Sequence, residues 1–268
     1  MDLQTACILN QVTSRFYREH ADSFSATRHA GWPGWERALD GEAGAAFRAG
    51  GEAPAVLDVA CGNMRFERFL QERFPESGFR VWAVDNCAPL ATGDADAFTL
   101  TGEGLANRVS FYEFDVMERL LAGDLAAHLP ERDFDLVACF GFMHHVPGWE
   151  NRVQLLRALA EKVKPGGSLV VSFWQFLNSP ELAAKAQEAH VRGLASLRDA
   201  GLDPAQLEEG DFLLGWQNEQ NAFRYCHNFT QSEVERLAQE AGLTPQLTTQ
   251  FQADGRTQNL NAYLVFGR

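Results

Sequence analysis

The chain has 268 residues, 46% of them hydrophobic and 22% charged, with a formal net charge of −13. That length suits one sizeable domain with an appended lid, and the composition fits a packed core rather than a disordered polymer. Lysine is confined to Lys162, Lys164 and Lys185, so the acidic balance counts against unaided binding to a phosphate backbone.

No apolar run reaches the roughly 18 residues of a membrane span. The first residues, MDLQTACILN, lack the basic head and long apolar stretch of a signal peptide. The expectation is a cytoplasmic protein with no membrane partner. The cysteines Cys7, Cys61, Cys87, Cys139 and Cys226 form no CxxC pair, which favours buried free thiols over a disulfide framework or a zinc site.

In chain order, residues 2–20 and 33–49 read as helices. AVLDVA (55–60) is the first strand candidate, followed by a helix over Phe66–Phe74. FRVWAVD, RVSFYEFD, FDLVACFGF and GSLVVSFW supply four more strands. Between them lie amphipathic segments such as Asn151–Val163, whose apolar residues fall at helical spacing. Lys164-Pro165-Gly166-Gly167 stops that helix and turns into the fifth strand. Strands alternating with helices imply a parallel sheet. Residues 175–222 interrupt the alternation with a long helix and a polar segment, read as a lid over the sheet's carboxyl edge. A helix over Gln231–Ala241 follows, and strands near Pro245–Phe251 and Asn259–Phe266 close the chain. The division expected is a helical cap over 1–50, a core over 55–175, a lid over 175–222 and a C-terminal helix and strand pair over 223–268.

Ligands of open parallel sheets bind outside the carboxyl ends of the strands. The turn after the first strand, VLDVACGNMRF (56–66), offers backbone N–H groups and a helix N-terminus. Asp85 ends the second strand, where an acid can accept both hydroxyls of a ribose. Met64 stands where a dinucleotide loop repeats glycine, which disfavours a pyrophosphate and suggests a crowded rim. Asp115 ends the third strand, either to accept from an adenine amine or to cap the helix that begins near Met117.

VLDVACG, VWAVDN, FYEFDV, FDLVACFGFMHHV and LAEKVKPGGSLVVSFW occur in this order. With them the chain resembles the class I S-adenosylmethionine-dependent methyltransferases, departing at Ala60 and Met64, where the family has glycine. The resemblance implies an α/β Rossmann-like fold: a mostly parallel seven-stranded sheet with helices on both faces, N-terminal helices and a helical lid. It implies S-adenosylmethionine as cofactor, held by Arg28, Asp58, Ala60, Gly62, Asn63, Asp85, Asn86, Asp115, Val116 and Phe140. No metal site is expected.

Two flanking motifs narrow the resemblance. Thr27, Arg28, Trp32 and Pro33 match a TR-x-x-x-WP pattern, and Arg224, Tyr225, His227 and Phe229 match RY-x-H-x-F. With Cys61-Gly62-Asn63, Arg65-Phe66, His144-His145 and Trp174, they resemble the tRNA wobble-uridine carboxymethyl methyltransferases. Those enzymes esterify a carboxylate on tRNA, and the eukaryotic ones work with a small activating subunit. A carboxylate needs no general base, only groups that hold it in line with the methyl. Arg224 and His227 are candidates for that clamp, and His145 for the place where the acceptor approaches. Arg224 and His227 can equally anchor the lid. Trp32, Trp35, Trp174 and Trp216 can line a base-stacking pocket or pack the cap against the lid. The charge leaves a small-molecule O- or N-methyltransferase as the alternative, and a cofactor-binding scaffold without catalysis as a third reading.

Overall fold

The computed structural model of the chain describes residues 1–28, 30–92, 108–217, 219 and 221–268. Nine strands occur among them: β1 (Ala55–Val59), β2 (Arg80–Asp85), β3 (Val109–Glu113), β4 (Phe134–Cys139), β5 (Val163–Trp174), β6 (Asp211–Gly215), β7 (Phe223–His227), β8 (Thr248–Ala253) and β9 (Asn261–Gly267). Seven form one sheet in the order β3-β2-β1-β4-β5-β9-β8. β1 pairs in parallel with β2 on one side and with β4 on the other. The strand order therefore reverses at β1, which opens a crevice beyond the carboxyl ends of β1 and β4. β9 runs antiparallel to both of its neighbours.

The sequence explains this arrangement. All five residues of β1 are buried, as expected of a central strand covered on both faces. Alternate residues feed two cores. Leu57, Val59, Val137 and Leu169 pack with Val153, Leu156, Leu159 and Leu237 of the helices Trp149–Glu161 and Gln231–Glu240. Val56, Val81, Leu136 and Val170 pack on the other face with Trp35, Leu39, Phe66 and Leu70, from the helices Pro33–Asp40 and Arg65–Arg73.

The N-terminal helix extends over Leu3–Ser25. Residues 33–49 break into Pro33–Asp40, a turn at Glu42–Gly44 and Ala45–Arg48. Gly44 marks the break, because a Cβ there would stand 1.9 Å from the Leu39 carbonyl oxygen. β8 begins at Thr248, after a short turn over Pro245–Leu247, since Pro245 has no N–H for a ladder. The lid is the larger departure. Its helix spans Pro180–Leu197, but the segment expected to be polar contains β6, paired antiparallel with β7 in a separate two-stranded sheet. This hairpin packs Leu213, Phe223 and Tyr225 against Leu9 and Val12 of the N-terminal helix and Leu197 of the lid helix. Among the described residues, no helix is long and apolar enough to cross a membrane.

Candidate active site

At the carboxyl ends of β1 and β4, the strand-end loops, the N-terminal helix and the hairpin line a cavity of about 680 Å³, a size that suits small ligands.

Its floor begins at the turn after β1. Ala60 (φ 61°), Gly62 (φ 56°) and Met64 (φ 56°) all adopt the left-handed backbone. The loop thus keeps the conformation of a three-glycine turn with only one glycine, and each substituted position carries about 1–2 kcal/mol of strain. Ala60, Gly62 and Asn63 line the cavity. Met64 does not crowd the rim: its side chain is buried in the core beside Phe66 and Phe69. Asn63 Nδ2 donates to the Ser25 hydroxyl (3.1 Å) and to the Arg28 carbonyl (3.0 Å), tying the loop to the end of the N-terminal helix.

Four acids line the cavity from strand ends, Asp58, Asp85, Asp115 and Asp254. Asp85 accepts from the Gly62 and Cys87 N–H groups, each at 2.9 Å, and burial pushes its carboxyl up to about 6. Asp115 caps the helix Val116–Ala122 through the Glu118 N–H (2.9 Å). Its other oxygen faces the cavity residues Asn86 (2.7 Å), Ser14 (3.0 Å) and Asn10 (3.3 Å). Asp58 is buried beside Glu67. Burial and the Glu67 charge hold the Asp58 carboxyl well above its usual range, and burial raises Glu67 to about 7, so the pair retains a proton. Val116 and Phe140 complete this end.

The opposite end is cationic. Arg28, Arg65 and Arg224 line it, and none forms an ion pair among the described residues. Arg28 lies 3.6 Å above the Phe24 ring and donates to Thr27 Oγ1 (2.8 Å). Arg65 sits over Trp32 (5.1 Å) and Trp35 (5.4 Å), and its Nε is buried without a partner among the described residues. Arg224 is buried against Phe16 (4.9 Å) and Trp216 (5.6 Å); its guanidinium makes a long hydrogen bond to the Gly215 carbonyl (3.4 Å) and stands beside the Cys226 thiol. Burial pulls Arg28 and Arg65 down to about 10, with Arg224 adding to the effect on Arg28 and Arg28 to that on Arg65. Arg28 and Arg65 remain charged at neutral pH.

The two histidines after β4 differ. His145 Nδ1 lies 2.6 Å from the Tyr225 carbonyl oxygen, which can only accept, so the proton sits on Nδ1. Nε2 then accepts from the Tyr17 hydroxyl at 2.8 Å. Burial drives His145 down to about 3 and Tyr17 up to about 12. His144 stacks between His145 (4.2 Å) and Trp174 (5.1 Å), and its Nδ1 is buried without a partner among the described residues. Burial holds it neutral as well. His144, His145 and Cys226 offer ligand atoms within 4.8 Å of one another, but both nitrogens of His145 are already engaged.

His227 stands apart from the other sequence candidates, because it does not line the cavity. It is buried behind the hairpin, with Nδ1 2.7 Å from Asp211 and Nε2 3.2 Å from Glu233. Asp211 also accepts from Tyr225 (2.6 Å) and Arg152 (3.3 Å). The position expected to orient an acceptor instead belongs to a buried network that anchors β6 and β7. All four tryptophans of the sequence reading line the cavity and also pack: Trp35 is 2% exposed in the core, and Trp216 meets Phe16 edge-on and Phe24 at a tilt. Sequence reasoning missed Asn10, Ser14 and Tyr17. Their spacing of four and three residues puts them on one face of an amphipathic helix, a polar stripe where core residues would be expected.

A family model described as a methyltransferase domain matches residues 36–247. The chain belongs to this methyltransferase family. A protein of Encephalitozoon cuniculi named as a methyltransferase is 26% identical over 230 residues, 85% of each chain. Two ubiquinone biosynthesis O-methyltransferases match a shorter region. That of Xanthomonas euvesicatoria is 35% identical over 118 residues (44% of this chain, 41% of the relative). That of Stutzerimonas stutzeri is 32% identical over 118 residues (44% and 43%). The match thus spans less than half the length of these two relatives. Among solved structures, a methyltransferase from Methanosarcina mazei superposes with a TM-score of 0.57 at 17% identity (88% of this chain, 96% of that one). An O-methyltransferase family protein from Burkholderia thailandensis gives 0.56 at 15% (95% and 61%). Both share the fold.

The methyltransferase is S-adenosylmethionine-dependent, and its cavity fits that cofactor. The left-handed loop leaves open backbone, Asp85 and Asp115 present oxygens at the strand ends, and an arginine without an acid is available to a carboxylate.

Proposed function

We propose that the methyltransferase esterifies a carboxylate on a small-molecule acceptor enclosed beneath the hairpin. The observation that carries this reading is Arg224, a buried guanidinium lining the cavity with no acid partner among the described residues. A buried unpaired charge is costly, and a bound carboxylate would relieve that cost through bidentate, charge-assisted hydrogen bonds. The histidines add support. A phenol or alcohol acceptor needs a base to take its proton. His145 and His144 are held neutral and far below the useful range, and His145 Nε2 already accepts from Tyr17. A carboxylate makes no such demand.

In this reading Asp85 accepts from the cofactor ribose, Arg28 takes the cofactor carboxylate, and the neighbourhood of Asp115, Asn86 and Val116 receives the adenine. S-adenosylmethionine supplies an electrophilic methyl group when bound. Arg224 holds the acceptor oxygen in line with it, while Phe140, Trp174 and the hairpin exclude water.

A second reading, methylation of 5-carboxymethyluridine in tRNA, is favoured by one observation. Thr27, Arg28, Trp32 and Pro33 of one flanking motif and Arg224 of the other line the same cavity, although the motifs lie almost 200 residues apart in sequence. The net charge of −13 requires this reading to include a basic partner, such as a small activating subunit. Methyl-labelled S-adenosylmethionine offered with bulk tRNA and, separately, with a small-metabolite extract tests the two. Base-labile label in small molecules is expected. Base-labile label in tRNA would install the second reading, and base-stable label would remove the carboxylate from both.

A further inference from the structure

The carboxylate reading accounts for Arg224 and, through the cofactor, for one more cation. The cavity holds a third. Arg65 begins the helix Arg65–Arg73, and its guanidinium lies over Trp32 and Trp35 at 5.1 and 5.4 Å. Its polar contacts are poor: one long bond to the Ala30 carbonyl (3.4 Å), and an Nε buried without a partner among the described residues. The nearest acid facing it is Asp254, which also lines the cavity. The Asp254 oxygens are already taken by the Gly34 N–H (3.0 Å), Asn261 Nδ2 (2.8 Å) and the Tyr263 hydroxyl (2.6 Å), and Asp254 forms no ion pair with Arg65.

Three guanidiniums therefore line one cavity without acid partners among the described residues, with the charge of Arg224 felt at Arg28 and that of Arg28 felt at Arg65. Stacking on aromatic rings offsets part of the cost of such burial, but it satisfies no N–H. The cofactor carries one carboxylate. A monocarboxylate acceptor would neutralise a second cation and leave the third unpaired.

We propose that the acceptor is a small dicarboxylic acid, with one carboxylate on Arg224, where the methyl is transferred, and the other on Arg65. The proposal rests on the carboxylate reading above. Phe140 and Trp32 line the same cavity and offer flat apolar surfaces that suit the body of such an acid. Only one carboxylate meets the methyl group, so the product is the monoester: one O–C bond forms at the acceptor as the donor's S–C bond breaks. The remaining carboxylate stays on Arg65.

The test is a calorimetric titration of the whole protein saturated with S-adenosylhomocysteine. The probes are linear α,ω-dicarboxylates of four to ten carbons, their matched monocarboxylates, and 5-carboxymethyluridine 5′-monophosphate. At the best length the diacid is expected to bind about tenfold or more tightly than its monoacid, the worth of one charge-assisted hydrogen-bonded contact. Arg65→Gln is expected to bring that ratio near one, and Arg65→Lys to restore part of it, a readout that loss of fold would not produce. Equal binding of every matched pair, or an unchanged ratio in Arg65→Gln, overturns the proposal. So does a nucleotide that outbinds every diacid, which would point to tRNA. Label transfer separates the two levels of inference. Esters formed as readily from monoacids as from diacids remove the second carboxylate and leave the carboxylate reading standing. No ester from any acid, with cofactor binding intact, removes both.

Discussion

The two ends of the cavity are built on opposite principles. At the acidic end, Asp85 and Asp115 stand at strand ends, and each carboxylate is already held by fixed donors, among them Gly62, Cys87, Asn86 and Ser14. At the cationic end, Arg28, Arg65 and Arg224 come from a loop, a helix start and the hairpin, and are held mainly by aromatic faces. One end is complete before any ligand arrives, and the other has donors left over. On the proposed reading the prearranged carboxylates serve the cofactor, Arg28 takes the cofactor carboxylate, and Arg224 and Arg65 are left for the acceptor.

Substitutions can break that contrast. Asp85→Ala is expected to weaken S-adenosylhomocysteine binding by about a hundredfold, the worth of two charge-assisted hydrogen bonds, in a calorimetric titration. Unchanged affinity would show that the acidic end does not hold the ribose. Arg224→Met is expected to lower kcat/KM for the acceptor about 30-fold while cofactor affinity stays within twofold. Loss of both would make Arg224 a structural residue of the hairpin.

Acidification probes the same contrast. Burial raises the Asp85 carboxyl to about 6, and ribose hydroxyls need it ionised to accept. Cofactor affinity should therefore be fully present above that value and fall as the pH drops through it, by about tenfold at pH 5, since each unit below the pKa costs a factor of ten. A flat profile in Asp85→Ala would assign the effect. Tyr17→Phe should cost less than tenfold in turnover, because a carboxylate acceptor uses no base. A loss of a hundredfold or more would mark Tyr17 and His145 as a proton relay for a hydroxyl acceptor. The smallest effect is expected at Ala60→Gly, which should stabilise the protein by about 0.5–1 kcal/mol in urea unfolding, as relief of left-handed strain exceeds the entropy lost to glycine.

The same contrast explains what the sequence could reveal. β1, β2, β4 and β5 are apolar runs bounded by turn residues, because parallel central strands are buried on both faces. Asp85 is legible for the same reason, as the acid at which such a run ends, whereas Asp115 follows the half-exposed edge strand β3 and is legible from its place between a strand and a helix. The cationic end has no run to mark it. Arg65 reads only as part of the motif over residues 61–66, with no role attached to it, and the fold brings it into the cavity that Arg28 and Arg224 line. β6 was hidden because DFLLG is short and follows a polar loop, and its partner was read only as a motif. His227 was misplaced with it. Within a buried hairpin every residue faces something, so the alternation that separates site from support is lost.

The last strand carries a consequence for how the protein is made. β9 lies inside the sheet, between β5 and β8, and pairs Asn261 with Trp174 at the mouth of the cavity. Until residues 261–267 have left the ribosome, β5 is an open edge and β8 has no neighbour. Exposed edges of this kind recruit other chains. A polypeptide cut short before β9 should therefore aggregate rather than fold into a smaller enzyme.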